Sequence, residues 1–413
     1  MANEILLKKD ANELVSAISK KELSNLITLK MDENEAAGKE RFEELNDIAI
    51  IAYYLTKDKH IQSGRNITEQ TLQTYSKVIL NFYNDLHQYK EEIGVDLTAP
   101  FYLHNGELSM LRSLQRRHVR RYLDWFIEKS PYAIQNGGYK LSSISQKVMI
   151  IKSFLKQLYS WGIIEVPLQE ELKSTTLTME DRPNRDAGAA HVLFLLRLFE
   201  RVENIPMFCL VHFLTTTGIR NSELCNLKIG NIEYDHIHGG YTMRIIAKGN
   251  KQRVIPLKEK TMRSINLFRY VRGLPKIDIY NRKKLNANDA VFTTNRGTPY
   301  TSSYLVAFMK RSIEQLPQEE KAAVDEMFSY MEHENPTDKN SPLVKKQMAI
   351  TPHLFRHAFA IISSKVENAD IYAISRSLGH ANIATTRIYL EKVYEAEDNV
   401  IHKWDSSVFG EYI

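Results

Sequence analysis

Apolar residues recur at helical spacing along most of this chain, and no other feature limits its possible folds as strongly. The spacing of three and four residues runs through 3–60 and 68–165, and it returns after 190. One stretch, 241–257 (YTMRIIAKGNKQRVIPL), alternates instead and contains a Gly-Asn pair, which predicts a β-hairpin. We therefore predict a mainly α fold with a small antiparallel β-sheet.

The same pattern divides the chain into regions. Residues 166–190 lack periodicity and are rich in polar, Thr and Pro residues, which is typical of an interdomain linker. We predict a helical N-terminal extension over 1–65, a helical domain over 66–165 and a second domain over 191–413. A long charged segment lies within the second domain, over 314–347.

The composition excludes several classes of protein. Hydrophobic residues make up 43% and charged residues 25% of the chain, which is normal for a globular protein. No apolar run is long enough to cross a bilayer, and the charged N-terminus does not resemble a secretory signal. Two cysteines, Cys209 and Cys225, make neither a disulfide framework nor a zinc site. We expect a cytoplasmic protein with no membrane partner and no metal.

The charge distribution favours a polyanionic partner. The net charge is +5, yet residues 1–60 carry −3, so the remaining chain carries +8. One basic segment, RSLQRRHVRR, contains five arginines without a carboxylate: Arg112, Arg116, Arg117, Arg120 and Arg121. We predict a single helix over 110–129 on which three of these arginines, at positions 112, 116 and 120, share one face. This face is a candidate phosphate-binding track, and a solvated cationic face explains the pattern equally well.

Two short motifs in the second domain carry basic residues at places suited to an anion. In TTTGIRNSELCNL (215–227) an apolar helix ends at Gly218, and Arg220 follows at the start of the next helix. Glu223 lies one turn further on and can hold the guanidinium, although a surface ion pair explains the same pattern. The predicted hairpin places candidate DNA-contacting or catalytic residues near its tip, and simple solubilising charges are the alternative: Lys248, Lys251 and Arg253.

Two further motifs lie near the C-terminus. In TPHLFRHAFA (351–360), His353 and Arg356 are three residues apart on one helix face, and His357 is one turn from His353. In LGHANIATTRIYL (378–390), His380 directly follows a helix-ending Leu-Gly, and Tyr389 comes nine residues later. Taken alone, each of these residues is explained as well by packing or by ordinary surface chemistry.

Taken jointly, the motifs resemble the tyrosine recombinase family, which includes phage lambda-type integrases and chromosome-dimer recombinases. The resemblance lies in the order Arg, Lys, His-x-x-Arg, His, Tyr and in the words GIRNSEL, HLFRH and LGH followed by Tyr389. It covers about 190–395, and a fainter resemblance of 68–165 to the family's helical core-binding domain extends it. Three features depart from the family pattern. Phe355 stands where Leu is usual, and the charged segment over 314–347 is longer than expected for the family and is a candidate insertion. The N-terminal 60 residues do not resemble the family's arm-binding domain.

The resemblance implies a role for each matching residue. Arg220 and Arg356 clamp the scissile phosphate, while His380 donates a hydrogen bond to it. Tyr389 attacks phosphorus and forms a 3′-phosphotyrosyl intermediate. Lys248 then acts as general acid toward the leaving 5′ oxygen.

The remaining residues of the set have supporting roles. His353 assists proton transfer, and Glu223 and His357 support the other site residues. The chemistry implied by the resemblance needs no cofactor and no metal. The partners implied are double-stranded DNA and the protein itself, as a tetramer whose C-terminal tail docks on a neighbouring protomer.

Several functions stay open at this point. Integration, excision and resolution of a mobile element or replicon all fit the motifs. A type IB-like topoisomerase, a DNA-binding regulator with an unused recombinase-like domain and a metal-dependent nuclease are the alternatives. The need for accessory proteins is not readable from the sequence.

Overall fold

The computed structural model describes eight parts of the chain: 20–57, 69–174, 186–247, 251–333, 340–365, 369–380, 382–387 and 390. The contacts divide the chain into two compact units, Met1–Arg182 and Pro183–Ile413. Helices dominate both units, and the strands form small antiparallel sheets. The predicted fold class is therefore confirmed.

The described part of the first unit is built from helices with one very short hairpin. Its helices are α1 (Lys20–Ala36), α2 (Asp47–Thr56), α3 (Glu69–Gln88), α4 (Lys90–Ile93), α5 (Met110–Ser113), α6 (Arg116–Glu128), α7 (Pro131–Asn136) and α8 (Leu141–Ser160). Its strands are β1 (Phe101–Tyr102) and β2 (Leu108–Ser109). A 3₁₀ turn over Leu168–Glu171 follows α8.

The N-terminal helices belong to the core of this unit. Ile27 of α1 and Ile51 of α2 are completely buried in the same cluster as residues of α3, α6 and α8. The carboxylate of Asp47 accepts hydrogen bonds from the Ser109 hydroxyl at 2.5 Å and from the Leu111 N–H at 3.1 Å. The structure thus differs from the predicted boundaries, because the described residues before 65 and the first part of the predicted linker both pack on this core.

The predicted single helix over 110–129 is wrong. The chain forms α5 and α6 instead, with a break at Leu114 and Gln115, whose backbone ψ angles of 140° and 162° are extended. Leu114 is buried in the core, so its packing sets the direction change between the two helices. Arg112 consequently shares no helix face with Arg116 and Arg120.

The second unit surrounds helix α10 with further helices and one three-stranded sheet. Its described helices are α9 (Ala189–Arg201), α10 (Ile205–Thr217), α11 (Asn221–Cys225), α12 (Glu259–Val271), α13 (Ser302–Glu314), α14 (Gln318–Met327), α15 (Pro352–Ser364) and α16 (Ile371–Leu378), and residues 383–387 are also helical. Its strands are β3 (Ile232–Asp235), β4 (Gly240–Ala247), β5 (Lys251–Leu257), β6 (Ser329–His333) and β7 (Leu343–Gln347).

The predicted hairpin is confirmed as strands β4 and β5. They pair antiparallel, with Tyr241 opposite Leu257 and Ala247 opposite Lys251, and β3 adds to the other edge of β4. Met243 and Ile255 face each other in the core. The residues between the two strands, 248–250, lie outside the described part of the chain.

Helix α10 is the centre of the second core and positions the site. It is apolar on nearly every side, and α9, α12 and α15 all pack against it. It ends at Gly218, which adopts a left-handed φ of 60°. A Cβ atom at this position would lie 2.7 Å from the Phe359 ring of α15, so only glycine allows the end of α10 to approach α15.

The predicted insertion over 314–347 contains α14 and the hairpin of β6 and β7. Phe328 precedes the hairpin and Met348 follows it, and both side chains are buried. The Met348 N–H donates to the Phe328 carbonyl at 2.8 Å. The hairpin therefore leaves the core and returns to it at one place.

Candidate active site

Arg220 is held by three hydrogen bonds at the start of α11. Its backbone N–H donates to Glu223 Oε2 at 2.7 Å, and its Nη1 donates to Oε1 of the same carboxylate at 2.9 Å. Its Nη2 donates to the Gly379 carbonyl at 3.1 Å. The side chain remains 38% exposed, so the guanidinium is both oriented and accessible.

Glu223 is shared between two arginines. Arg253 of β5 donates to it twice, from Nη1 to Oε1 at 2.9 Å and from Nη2 to Oε2 at 2.7 Å. Burial raises the pKa of the Glu223 carboxyl, but the hydrogen bonds from Arg253 and from the Arg220 N–H outweigh it and hold the pKa at about 2. Glu223 is therefore a carboxylate at every pH at which the protein is expected to act.

Arg356 bridges the ends of two helices. Its Nη1 donates to the carbonyl of Gly218, which closes α10, at 2.6 Å, and its Nη2 donates to the carbonyl of Leu378, the last residue of α16, at 2.7 Å. The residue is only 2% exposed. Arg356 thus stabilises the packing of the two helix ends in addition to lining the site.

The three predicted histidines lie on two elements. His353 and His357 are one turn apart on α15, with ring centroids 5.0 Å apart and the rings nearly perpendicular. His380 follows Gly379, which ends α16 in a left-handed conformation. Its Nδ1 lies 2.7 Å from the hydroxyl of Thr386, a fully buried residue.

His380 lies among cations. Burial lowers the pKa of its imidazole, and the charges of Arg356, Arg220 and Arg253 lower it further, to about 4. The ring is therefore neutral at neutral pH, and a neutral imidazole donates a hydrogen bond from one nitrogen only.

One pocket of about 370 Å³ brings four of the predicted catalytic residues together. Arg220, His353, Arg356 and His380 all line it, although they are up to 160 residues apart in the sequence. Five further residues complete its wall: Asn221, Ser222, Ser302, Pro352 and Thr385. Two guanidiniums, imidazoles and hydroxyls around one space form a site for a tetrahedral or trigonal-bipyramidal oxyanion.

A wider groove of about 1210 Å³ adjoins this pocket, since Arg220 and His380 line both. It extends over the sheet, and its wall includes three exposed cations: Lys228, Arg244 and Arg376. The groove wall therefore carries five cationic side chains and one carboxylate, and a positive excess of this kind favours a polyanion.

The structure assigns Arg253 a different contact from the DNA contact that the sequence suggested. Its guanidinium is bound to Glu223, and the side chain is only 11% exposed. The alternation of side chains along β5 indicates this buried position. Arg253, Ile255 and Leu257 point to the same side of the sheet, and the last two are buried.

The side chains of three predicted residues lie outside the described part of the chain. Lys248 and Tyr389 lie outside the described residues, and the side chain of Lys251 is also outside the described part, although its backbone forms the first position of β5. Their predicted roles stay predictions. Leu390, which follows Tyr389 directly, is completely buried against α15 and α16 residues.

The arginines of the first unit differ in their surroundings. Arg112 is part of the fold, since its guanidinium donates to the carbonyls of Leu45 at 3.1 Å and Phe42 at 2.5 Å. These carbonyls hold the side chain against the N-terminal segment, a contact different from the predicted DNA contact.

The other four arginines line the surface of α6 and are paired with carboxylates from neighbouring segments. Arg117 and Arg121 contact Asp96, while Arg116 and Arg120 contact the acidic residues at 170 and 171. A pocket of about 470 Å³ is lined by three of them: Arg116, Arg117 and Arg120. These exposed pairs are weak, so a phosphate can replace the carboxylates.

Sequence reasoning missed several residues of the site. Ser222 and Thr385 belong to motifs that were recognised, and their polar side chains beside a catalytic residue were the available signal. Ser302 gave no signal, because it comes from α13, which carries none of the motifs.

In the described residues no helix is long and apolar enough to span a bilayer. Among those same residues, no group of three or more His, Cys, Asp or Glu side chains is arranged so that it could hold a metal ion.

Comparisons with known proteins point to one family. The model of the phage integrase family matches residues 192–396. The tyrosine recombinase XerC of Chlorobaculum parvum is 23% identical over 364 residues, which cover 83% of this chain and 91% of that protein. The tyrosine recombinase XerD of Halalkalibacterium halodurans is 24% identical over 335 residues, covering 79% of this chain and 88% of that protein.

A solved structure has the same fold. A lambda integrase dimer bound to a COC′ core site superposes with a TM-score of 0.51 at 13% identity, covering 86% of this chain and 80% of the other. The segment matched by the family model contains every residue of the predicted Arg, Lys, His, Arg, His, Tyr set, and four of them line one pocket. The chain is therefore a member of the phage integrase family, the tyrosine recombinases.

Proposed function

We propose that this protein is a site-specific DNA recombinase that cleaves and rejoins DNA strands through a covalent bond between Tyr389 and a 3′ phosphate. The observation that carries the proposal is the meeting of Arg220, His353, Arg356 and His380 in one pocket. A pocket of about 370 Å³ is large enough for a phosphodiester and its two flanking oxygens, and it opens beside a cationic groove.

The two arginines act as the phosphate clamp. Negative charge accumulates on the non-bridging oxygens as the nucleophile approaches phosphorus, and guanidiniums that are already oriented stabilise this charge without reorganising. Arg220 is oriented by Glu223 and Gly379, and Arg356 by Gly218 and Leu378. Neutral His380 adds a hydrogen bond to the same oxygens.

In this proposal the nucleophile is Tyr389 and the general acid is Lys248, which complete the motif order Arg, Lys, His, Arg, His, Tyr. The phenolic oxygen of Tyr389 forms a bond to phosphorus, and the bond from phosphorus to the 5′ oxygen breaks. The phenol proton leaves with assistance from His353, and Lys248 protonates the 5′ oxygen. Rejoining is the reverse step, with a 5′ hydroxyl of the partner strand as the attacking group. The phosphotyrosine conserves the bond energy, so the cycle needs no nucleotide.

The reaction defines the assembly. Exchange between two duplexes requires four strand cleavages, and each protomer carries one clamp and one nucleophile. We therefore propose a tetramer on two DNA sites. The C-terminal stretch contains apolar residues at helical spacing that would dock on a neighbouring protomer: Val400, Trp404, Val408 and Phe409.

The biological setting is integration, excision or resolution of a mobile element or replicon. We propose that the protein acts in the cytoplasm, associated with the nucleoid. The first unit would bind the duplex through the exposed arginines of α6, and the second unit would bind it through the cationic groove.

The experiment is covalent trapping on a nicked suicide substrate. The substrate is duplex DNA from the flanks of the gene, nicked so that the cleaved fragment diffuses away, and EDTA is present throughout. Wild type should give a protein–DNA adduct on a denaturing gel, whereas Tyr389→Phe should bind the same DNA and give none. An adduct with Tyr389→Phe would remove this residue from its role.

Two controls separate the alternative functions. DNA binding by wild type without any adduct on a tiled set of flanking fragments would favour a regulator. Cleavage that appears only when Mg²⁺ replaces EDTA, and leaves no adduct, would favour a nuclease. Relaxation of supercoiled plasmids lacking the flanking DNA, without recombinant products, would favour a topoisomerase.

A further inference from the structure

Within the described part of the chain, the Glu223 carboxylate accepts four hydrogen bonds from two residues. Oε1 accepts from Nη1 of Arg220 and from Nη1 of Arg253, both at 2.9 Å, and Oε2 accepts from the Arg220 N–H and from Nη2 of Arg253, both at 2.7 Å. The glutamate side chain is 6% exposed. A buried carboxylate with this many donors is fixed in one rotamer, so Arg253 and Arg220 are rigidly connected through it.

Arg253 also contacts the loop that carries His380. Gly379 adopts a φ of +67°, and a Cβ atom there would lie 2.8 Å from Nη1 of Arg253. The carbonyl of Gly379 accepts a hydrogen bond from Nη2 of Arg220 at 3.1 Å. Arg253, Glu223, Arg220 and Gly379 therefore form a closed ring of contacts, which we call the Arg253 ring.

The members of the Arg253 ring come from three distant parts of the chain. Arg253 belongs to β5, Arg220 and Glu223 to the start of α11, and Gly379 to the end of α16. Lys248, the proposed general acid, lies five residues before Arg253 in the same hairpin. Through this ring the hairpin is tied to the phosphate clamp.

On the basis of the proposed recombinase function, we propose that Arg253 is a positioning residue for phosphoryl transfer. It touches no reacting atom, and it acts by fixing Glu223, which in turn orients Arg220, and by fixing the backbone before His380. Removing it leaves a buried carboxylate with half of its hydrogen bonds, which frees Arg220 to rotate. A displacement of about 1 Å of a catalytic group costs about 100-fold in rate.

The test measures cleavage and DNA binding separately. Single-turnover adduct formation on the nicked suicide substrate, at saturating protein, gives the cleavage rate, and equilibrium binding of the same DNA at fixed salt gives the Kd. Arg253→Ala should cleave about 100-fold more slowly than wild type with a Kd within about 3-fold of it. Arg263→Ala is the matched control, because Arg263 pairs with Glu259 on the exposed face of α12, and it should cleave like wild type.

A conservative variant and a double variant distinguish positioning from folding. Arg253→Lys keeps the charge but loses the bidentate contact, so it should recover part of the lost rate. Arg253→Ala combined with Glu223→Gln should cleave no more slowly than the slower single variant, because both changes break one connection. If the fold-reductions in cleavage rate of the two single variants multiply in the double variant, the two residues do not act through one connection, and the inference is wrong.

The remaining outcomes are equally decisive. A Kd weakened about 10-fold or more with a normal cleavage rate at saturation would make Arg253 a DNA contact and overturn the inference. A cleavage rate for Arg253→Ala equal to wild type would do the same. Absence of an adduct with wild type itself would instead refute the recombinase function, on which the inference rests.

Discussion

The Nδ1 atom of His380 lies 2.7 Å from the hydroxyl of Thr386, six residues further along the chain. Thr386 has no exposed surface, so this contact fixes the plane of an imidazole that lines the pocket. Thr386→Val keeps the side-chain shape and removes the hydroxyl. We expect it to slow single-turnover cleavage about 10-fold, the cost of one hydrogen bond of average strength or somewhat more, without changing the Kd for DNA.

The control for this variant is Thr28→Val in α1, where the hydroxyl donates to the Ser24 carbonyl in the first unit. It removes a hydroxyl of the same type far from the site in sequence, and it should cleave at the wild-type rate. Wild-type cleavage by Thr386→Val would show that the ring of His380 is positioned by other contacts.

The two clamp arginines should differ in what they do for stability. Arg356→Ala leaves the buried carbonyls of Gly218 and Leu378 without their donor, and it creates a cavity, so unfolding should become easier by about 3 kcal/mol. Arg220 is 38% exposed, and without its side chain the Glu223 carboxylate keeps three of its four hydrogen bonds, so Arg220→Ala should cost less, about 1 kcal/mol. Both variants should lose cleavage.

Urea unfolding of the two variants, followed alongside adduct formation, checks this contrast. A stable Arg356→Ala protein, with the unfolding midpoint of Arg220→Ala, would mean that the bridge between α10 and α16 contributes little. A cleaving Arg356→Ala protein would remove Arg356 from the clamp.

The low pKa of His380 makes stability depend on pH in a defined window. The folded pKa is about 4, against an ordinary value of 6.5. Between these values the unfolded chain binds a proton that the folded chain does not, so the free energy of unfolding falls as the pH decreases through this range. His380→Gln removes this contribution and should flatten the decrease.

The titration of Glu223 does not affect the comparison between wild type and His380→Gln in this pH range. Its folded pKa of about 2 lies below the ordinary 4.5, so its contribution is complete above pH 4.5 and is lost only as the pH falls from there toward 2. Urea unfolding of both proteins at pH 7, 5.5 and 4.5 is the measurement. Parallel curves would show that His380 is not shielded from protonation in the folded state.

Arg116 and Arg120 of α6 should contribute to DNA binding through phosphates. Their carboxylate partners are at 3.4 to 3.7 Å and the arginines remain well exposed. Replacing both with alanine should reduce the slope of log K against log salt concentration by about 0.9 for each phosphate that the protein no longer neutralises. An unchanged slope would mark this surface as a solvated cationic face. Arg112→Ala should instead leave the slope unchanged and lower the stability.

The N-terminal helices should be required for the stability of the first unit. Asp47 is buried and accepts hydrogen bonds from Ser109 and from the start of α5. Asp47→Ala removes the acceptor for both groups, which should destabilise the unit by about 3 kcal/mol. Asp32→Ala, an exposed position on α1, should have no effect. Equal thermal unfolding temperatures for the two variants would show that α2 is only loosely attached.

The parts of the site that the sequence predicted are those that depend on local geometry. His353 and Arg356 share a face because they are three residues apart on one helix, and the hairpin follows from the alternation around its Gly-Asn pair. The motif order then identified the family, since six residues of four types in one order are rarely produced by chance. None of this required knowledge of the packing.

The rest depends on how distant elements pack. The meeting of Arg220 with His380 requires the ends of α10 and α16 to be joined by Arg356, and no local pattern encodes that contact. The break at Leu114 is also tertiary, because a buried leucine interrupts a sequence whose helical spacing continues. Arg253 was predictable in principle, since the parity of β5 places it on the buried side with Ile255.

The hydrogen bond between Met348 and Phe328 has a consequence for how this family member can vary. The chain between these residues begins and ends at adjacent backbone atoms, 2.8 Å apart. Its length can therefore change without moving α15, which begins four residues after Met348 and carries His353. Evolution can therefore lengthen or shorten the β6–β7 hairpin beyond Tyr330, which packs on the core, without shifting the helix that carries His353, and a fluorescent or affinity label can be inserted at the same place.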